Sequence, residues 1–224
     1  MADSNNALPA RIFLRPIGSP LTIGMAGLTV ASLVESGLQL HWVAAGQAKQ
    51  VGFILIAVPF VLQLIACVFA FLARDGAAGA VLGVLGTSWG AIGVVHVASK
   101  PGARSGALGL LLLISAAVII LSGAAVLQAK PLPALVFTIA ALRFVLAGIH
   151  ELGGASAWQD AGGIVGLMVC ALAGYCVLAF ELEGQRRRPV LPTLRRGRAA
   201  SAVSDGAAAQ LDGVAHEAGV RQTS

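Results

Sequence analysis

Charged residues punctuate this chain between long uncharged runs. There are 19 uncharged residues between Arg15 and Glu35, 24 between Lys49 and Arg74, and 24 between Asp75 and Lys100. A further 25 lie between Arg104 and Lys130, and 20 between Asp160 and Glu181. A helix needs about 20 apolar residues to cross roughly 30 Å of hydrocarbon, so five spans follow directly. A sixth fits between Lys130 and Asp160, where Ala134–Ile149 is apolar except for Thr138 and Arg143. The predicted spans are 18–40, 51–73, 77–98, 106–128, 133–151 and 161–181. The first exceeds the apolar core of about 7–15 residues found in a secretory leader and reads as a true span. The pattern predicts an all-α integral membrane protein with six transmembrane helices. A polar lead occupies 1–16, the helical domain 17–181, and a basic tail 182–224 that is expected to be largely disordered.

Composition narrows the class further. Of 224 residues, 57% are hydrophobic and 11% charged, against roughly 45–50% and about 25% in soluble domains. That excludes an ordinary soluble globule and a disordered chain. The 28 glycines show no three-residue period, which excludes a collagen-like fibre. Six spans with short loops leave no length for a second folded domain.

The cations set an orientation. Six spans put both ends on one side. With those ends inside, the inner segments near the spans carry Arg11, Arg15, Arg74, Lys130, Arg186, Arg187, Arg188, Arg195, Arg196 and Arg198, ten in all. The outer loops carry three, Lys49, Lys100 and Arg104. The Lys/Arg bias toward the cytoplasm therefore predicts cytoplasmic N- and C-termini. The net charge of +5 reflects topology and attraction of the tail to anionic headgroups. Nucleic acid is not an expected partner, because the basic tail lacks aromatics for base stacking.

Several chemistries find no residues to carry them. The sequence holds no phosphate-binding glycine loop, no nucleophile elbow and no paired carboxylates, so it is not read as an enzyme. His41, His96 and His150 lack ligand spacing, and no metal or cofactor is expected. Cys67, Cys170 and Cys176 fall inside spans and read as small apolar side chains rather than a disulfide framework.

Two patterns point to the interior of the bundle. In the third span, glycines at 79, 83, 86, 90 and 93 step by 4, 3, 4 and 3 residues, which keeps all five on one helix face. Such a face lets another backbone approach closely, and it reads either as a packing seam or as a seam that also walls a pore. The other pattern is charge. Glu35, Arg143 and Glu151 lie within spans, where a charge costs about 2.5–3.5 kcal/mol even on the lenient insertion scale. Arg143 is expected to face inward with Glu35 or Glu151 as its nearest acid, and reads as an ion pair with Glu35, as a charge that draws an anion along a path, or as a side chain snorkelling from lipid; Glu151, eight residues on, shares its face without touching it and reads as a partner or as a solvated end. Gln63 either bonds across helices or lines that path.

Several segments together resemble the acetate uptake transporter family, the acetate/succinate permeases. Ile17-Gly18-Ser19-Pro20-Leu21-Thr22-Ile23, then Gly27 and Thr29, is similar to the family's opening of span 1. Gln63 matches its span 2 glutamine, and Val84-Leu85-Gly86-Thr87-Ser88-Trp89 its span 3 motif. Ala161-Gly162-Gly163, Gly166, Tyr175 and Glu181 through Val190-Leu191-Pro192 resemble its last span and exit. The resemblance covers about residues 15–192. It implies six spans in the cell inner (plasma) membrane, cytoplasmic ends, a ring-shaped homo-oligomer, commonly a hexamer, and a narrow path through each subunit. The span 1 motif lacks its Asn and first Pro, and Leu85 and Ala26 stand where the family carries aromatics, which implies a wider or differently shaped constriction. Arg143 stands where an apolar residue is expected.

The expected function is a transporter or channel for small organic anions, acetate-type monocarboxylates first, with proton coupling open. The expected path is Pro20, Leu21, Ala26, Leu85, Thr87, Trp89 and Arg143, with Glu35 and Glu151 as proton or ion-pair partners. The N-terminal end of span 1 near Pro20 offers unpaired N–H groups to a carboxylate. A channel for small neutral solutes (urea, ammonia, amides) and a non-transporting scaffold are the alternatives.

Overall fold

A computed structural model describes residues 18–186, 188–197 and 200. Six helices are long and apolar enough to cross a membrane. They are α1 (Pro20–Gln39), α2 (Ala45–Leu72), α3 (Gly76–Ala98), α4 (Gly106–Leu127), α5 (Pro131–Glu151) and α6 (Ser156–Arg186). The chain is an all-α, multi-pass membrane protein with no strand among the described residues. Each expected span has its helix. α2 begins six residues earlier than expected, and α6 continues five residues past 181. Those extensions carry Gln47, Lys49, Gln50, Glu183, Gln185 and Arg186, polar residues that a hydropathy count does not register.

Local chemistry sets the helix starts. Pro20 and Pro131 sit in the first turns of α1 and α5, where a missing N–H costs nothing. Asp75 and Ser105 cap α3 and α4 by accepting the N–H groups of Ala78 and Leu108. Inside α2, Pro59 removes a helical donor, and the turn Ile56–Phe60 widens to a π-helix around it.

The helices run up and down in sequence order. Each packs on the next, and α6 returns to α1, so the six close into a ring. The odd-numbered helices are the more buried, 56% of the central window in α1, α3 and α5 against 28%, 33% and 39% in α2, α4 and α6. The polar residues described below accordingly sit mostly on odd helices. The described chain enters α1 and leaves α6 on the same side.

The glycine seam of α3 faces α2 along its whole length. A Cβ added at Gly79 would stand 2.9 Å from the Phe71 ring, at Gly83 3.0 Å from Cys67 Sγ, and at Gly86 3.0 Å from Gln63 Cβ. At Gly93 it would stand 2.6 Å from the carbonyl oxygen of Gly52, and a Cβ at Gly52 would stand 2.6 Å from that of Gly93. Of the two readings of this seam, close packing of backbones is the one the geometry carries. The three cysteines are separate free thiols.

Beyond α6, residues 190–197 fold back beneath the bundle. Tyr175 donates to the Pro192 carbonyl at 3.0 Å, Arg195 pairs with Glu183 at 2.6 Å, and the Arg196 N–H donates to the Ala129 carbonyl at 2.9 Å. On the same side Lys130 pairs with Asp75. The helix through Arg186 and this docked segment occupy the first part of the expected tail. The lead 1–16, Ile17, Arg187, Arg198, Ala199 and 201–224 lie outside the described residues.

Candidate functional site

Arg143 is the hub of the interior. It lies eight residues before the end of α5, about 12 Å along the axis at 1.5 Å per residue, and is 2% exposed. Four helices hold it. Its Nη2 donates to Gln39 Oε1 of α1 at 3.3 Å. Its guanidinium carbon sits 4.7 Å from the centroid of the Trp89 ring of α3. Trp89 in turn meets Phe144 of α5 edge-on, with centroids 5.3 Å apart and planes at 71°. On the α6 side the bare backbone of Gly166 makes room, since a Cβ there would stand 2.5 Å from Arg143 Nε and collide with Ser36 Oγ. Small size at Gly166 is thus a condition for an arginine at 143.

No carboxylate reaches this cation. Among the described residues Arg143 makes no ion pair. Glu35 instead meets His96 of α3, with its two oxygens 3.0 and 3.3 Å from Nε2, an ion pair when the imidazole is protonated. Glu151 accepts the Ser105 N–H at 2.6 Å, where the partial positive charge of the α4 N-terminus favours an anion. Glu35 and Glu151 line the cavity that Arg143 reaches, but each has a nearer partner, so the expected ion pair of Arg143 with Glu35 is not made. Four further buried polar atoms lack partners: Ser32 Oγ, Ser36 Oγ, Trp89 Nε1 and Gln63 Oε1; Arg143 Nε lacks one too.

A funnel leads to this cluster from the face opposite the chain ends. A vestibule of about 230 Å³ is walled by helix ends and the α3–α4 loop, among them His41, His96, Lys100, Arg104 and His150. A deeper cavity of about 30 Å³ shares Glu35, Gln39, His96, His150, Glu151 and Gln159 with it and reaches Arg143 and Phe144. The three histidines share the vestibule, yet no group of side chains suited to a metal ion is found among the described residues.

The structure brings together only part of the expected path. Trp89 and Arg143 touch, and Glu35 and Glu151 line the cavity that Arg143 reaches. Leu85 is fully buried in the apolar core with Met25 and Leu28. Leu21 (2% exposed) and half-buried Pro20 stand at the other end of α1, about 21 Å of helix from Glu35. Ala26 is half-buried. Thr87 points out of the bundle, exposed, with its hydroxyl donating back to the Gly83 carbonyl at 2.8 Å. Gln63 is buried and donates to the Gly24 carbonyl at 3.3 Å, tying α2 to α1. Sequence reasoning missed His96, Gln39, Phe144 and Gly166. Depth was the available signal for one of them: Glu35 lies four residues before the end of α1 and His96 two before the end of α3.

The fold and a buried cation with no carboxylate at ion-pair distance define a class: a closed six-helix membrane bundle with a polar funnel ending on an arginine. One solved structure with this fold is titled as that of the bacterial acetate channel SatP. It superposes with a TM-score of 0.70 at 18% sequence identity, over 80% of this chain and 99% of that one. At that identity the likeness is one of fold. No protein-family model matches the chain, and no curated protein matches it.

Proposed function

We propose that this protein carries small organic anions, acetate-type monocarboxylates first, across a membrane. The observation that carries the reading is Arg143: a cation buried about 12 Å deep, at the end of a funnel, balanced by no carboxylate at ion-pair distance. A fixed charge in a low-dielectric path interacts strongly with an opposite one, and its burial cost is offset when a permeating anion arrives. Lys100 and Arg104 at the vestibule raise the local anion concentration on the way in. The shared fold with a structure titled an acetate channel supports the same reading. Cytoplasmic ends, an inner-membrane location and a homo-oligomer, a hexamer by resemblance, complete the proposal.

Uptake of labelled acetate, succinate and urea into liposomes holding the purified protein, with and without a pH gradient, tests it. Saturable acetate uptake that falls at least tenfold in Arg143→Gln is expected. Stimulation by an inward proton gradient would add coupling, for which Glu35 and His96 line the route. Urea flux without acetate flux would instead establish a neutral-solute channel, and no flux of any solute a scaffold.

A further inference from the structure

The segment that folds back from α6 is a strap with one side pinned to the bundle. Thr193 is 3% exposed and donates to Glu183 Oε2 at 3.4 Å. Arg195 grips the same carboxylate twice, Nη2 to Oε1 at 2.6 Å and Nε to Oε2 at 3.3 Å, while its guanidinium carbon lies 5.2 Å from the centroid of the Phe180 ring. The bonds from Tyr175 to the Pro192 carbonyl and from the Arg196 N–H to the Ala129 carbonyl hold it on either side. Ala129 lies two residues beyond the end of α4, so the strap reaches the depth at which a span leaves the hydrocarbon.

The other side of the strap has no such partners. Arg188, Val190, Pro192, Leu194 and Arg196 are all exposed, three apolar side chains bracketed by two cations. Among the described residues neither Arg188 nor Arg196 makes an ion pair. Nearby carboxylates are already engaged, Glu183 with Arg195 and Asp75 with Lys130, and Glu181 is the exposed acid of this stretch of α6. Leu194 is the sharpest feature. Its φ of 55° lies in the left-handed region, which a bulky side chain rarely enters, yet it is 56% exposed. The strain therefore gains no burial. It turns a leucine outward between two neighbours that are held inward.

We propose that this outward face is a binding site for an anionic phospholipid, Arg188 and Arg196 meeting the headgroup phosphate and Val190, Pro192 and Leu194 meeting the start of the acyl chains. Two features together select that occupant. A soluble anion has no use for the apolar tip, and a zwitterionic lipid gains little from unpaired arginines. Interfacial binding grows with buried apolar area and with attraction to anionic headgroups, and the strap offers both at the membrane face. A general attraction of a basic tail to lipid thereby becomes a site with named residues, independent of which solute the bundle carries.

Thermal unfolding of the full-length protein in uncharged detergent tests the site, since a ligand of the folded state raises the melting temperature with concentration. The additions are phosphatidylglycerol, phosphatidylcholine and tail-less glycerol phosphate. Phosphatidylglycerol is expected to act at concentrations about tenfold or more below phosphatidylcholine, and glycerol phosphate to have no effect over the same range. Arg188→Gln combined with Arg196→Gln, both on the surface, should weaken the phosphatidylglycerol response by about tenfold or more. Leu194→Asn is the decisive variant. Asparagine tolerates a positive φ, so without lipid the protein should melt no lower than wild type, while its apparent affinity for phosphatidylglycerol falls several-fold. Equal responses to the two lipids, or an equal response to glycerol phosphate, overturn the proposal. So does Leu194→Asn with undiminished phosphatidylglycerol affinity. A smaller assembly of Leu194→Asn on size exclusion, with the lipid response intact, would give the leucine to a second copy of this chain and overturn it as well.

Discussion

The guanidinium of Arg143 lies 4.7 Å from the ring centroid of Trp89, so the one charge in the middle of α5 rests on a π face and a neutral amide rather than on a carboxylate. A desolvated cation–π contact contributes about 2 kcal/mol or more. It stabilises the cation without neutralising it, which is the condition a passing anion needs. Trp89→Leu should therefore reduce acetate flux several-fold more than Trp89→Phe, which keeps a π face. Equal fluxes in the two variants, at equal thermal stability, would show the ring to be mere packing.

Gly166 positions the arginine. Gly166→Ala puts a methyl 2.5 Å from Nε and into Ser36 Oγ, and overpacking of this kind costs typically 1–3 kcal/mol. The expected phenotype is a folded protein with lowered thermal stability and acetate flux close to that of Arg143→Gln. Normal flux from Gly166→Ala would mean that Arg143 relocates without consequence, contrary to the role given to its placement.

Glu35 and His96 should stand or fall as a pair. His96→Ala leaves a buried acid without its partner, for a loss on the order of 3–5 kcal/mol. Because two apolar or neutral partners restore the balance, Glu35→Gln combined with His96→Gln should recover much of that stability. Thermal unfolding in detergent of the two single variants and the double variant measures the coupling. Additive losses would show that the 3.0 Å contact contributes nothing of its own.

Two glycines of the α2–α3 seam contrast with one on α4. Gly93→Leu must displace the Gly52 backbone, 2.6 Å from the new Cβ, and Gly86→Leu must displace Gln63. Both should lose monodisperse, folded protein. Gly123→Ala meets nothing nearer than Phe137 Cβ at 3.8 Å and should be neutral or stabilising by up to about 1 kcal/mol through helix propensity. Size-exclusion profiles and melting temperatures of the three variants decide it. If the leucines are tolerated, the close approach of the two backbones is not needed.

Orientation is predicted from charge alone, ten inner Lys/Arg near the spans against three outer. A reporter fused after Ser224 should be active on the cytoplasmic side. Activity confined to the outer side would reverse the topology, and with it the side on which the vestibule opens.

Hydropathy and charge spacing by themselves determined the six helices and where each runs through the membrane, because a bilayer demands about 20 uncharged residues per crossing. They also determined that the α3 glycines form one face, since 3.6-residue periodicity needs no partner to be read. Cost alone marked Arg143 and Glu35 as inward-facing, and both are buried, at 2% and 5% exposure. What faces what was decided only by the tertiary structure. The ring order sets α1, α3, α5 and α6 around Arg143, and nothing in a linear pattern states which helix neighbours which. For that reason Glu35 went to His96 and not to Arg143, and Thr87, three residues along the chain from the seam glycine Gly90, turned out of the bundle while Trp89 turned in. Pairing depends on depth and azimuth together; sequence carries depth, while azimuth between helices is set by side-chain packing across the ring.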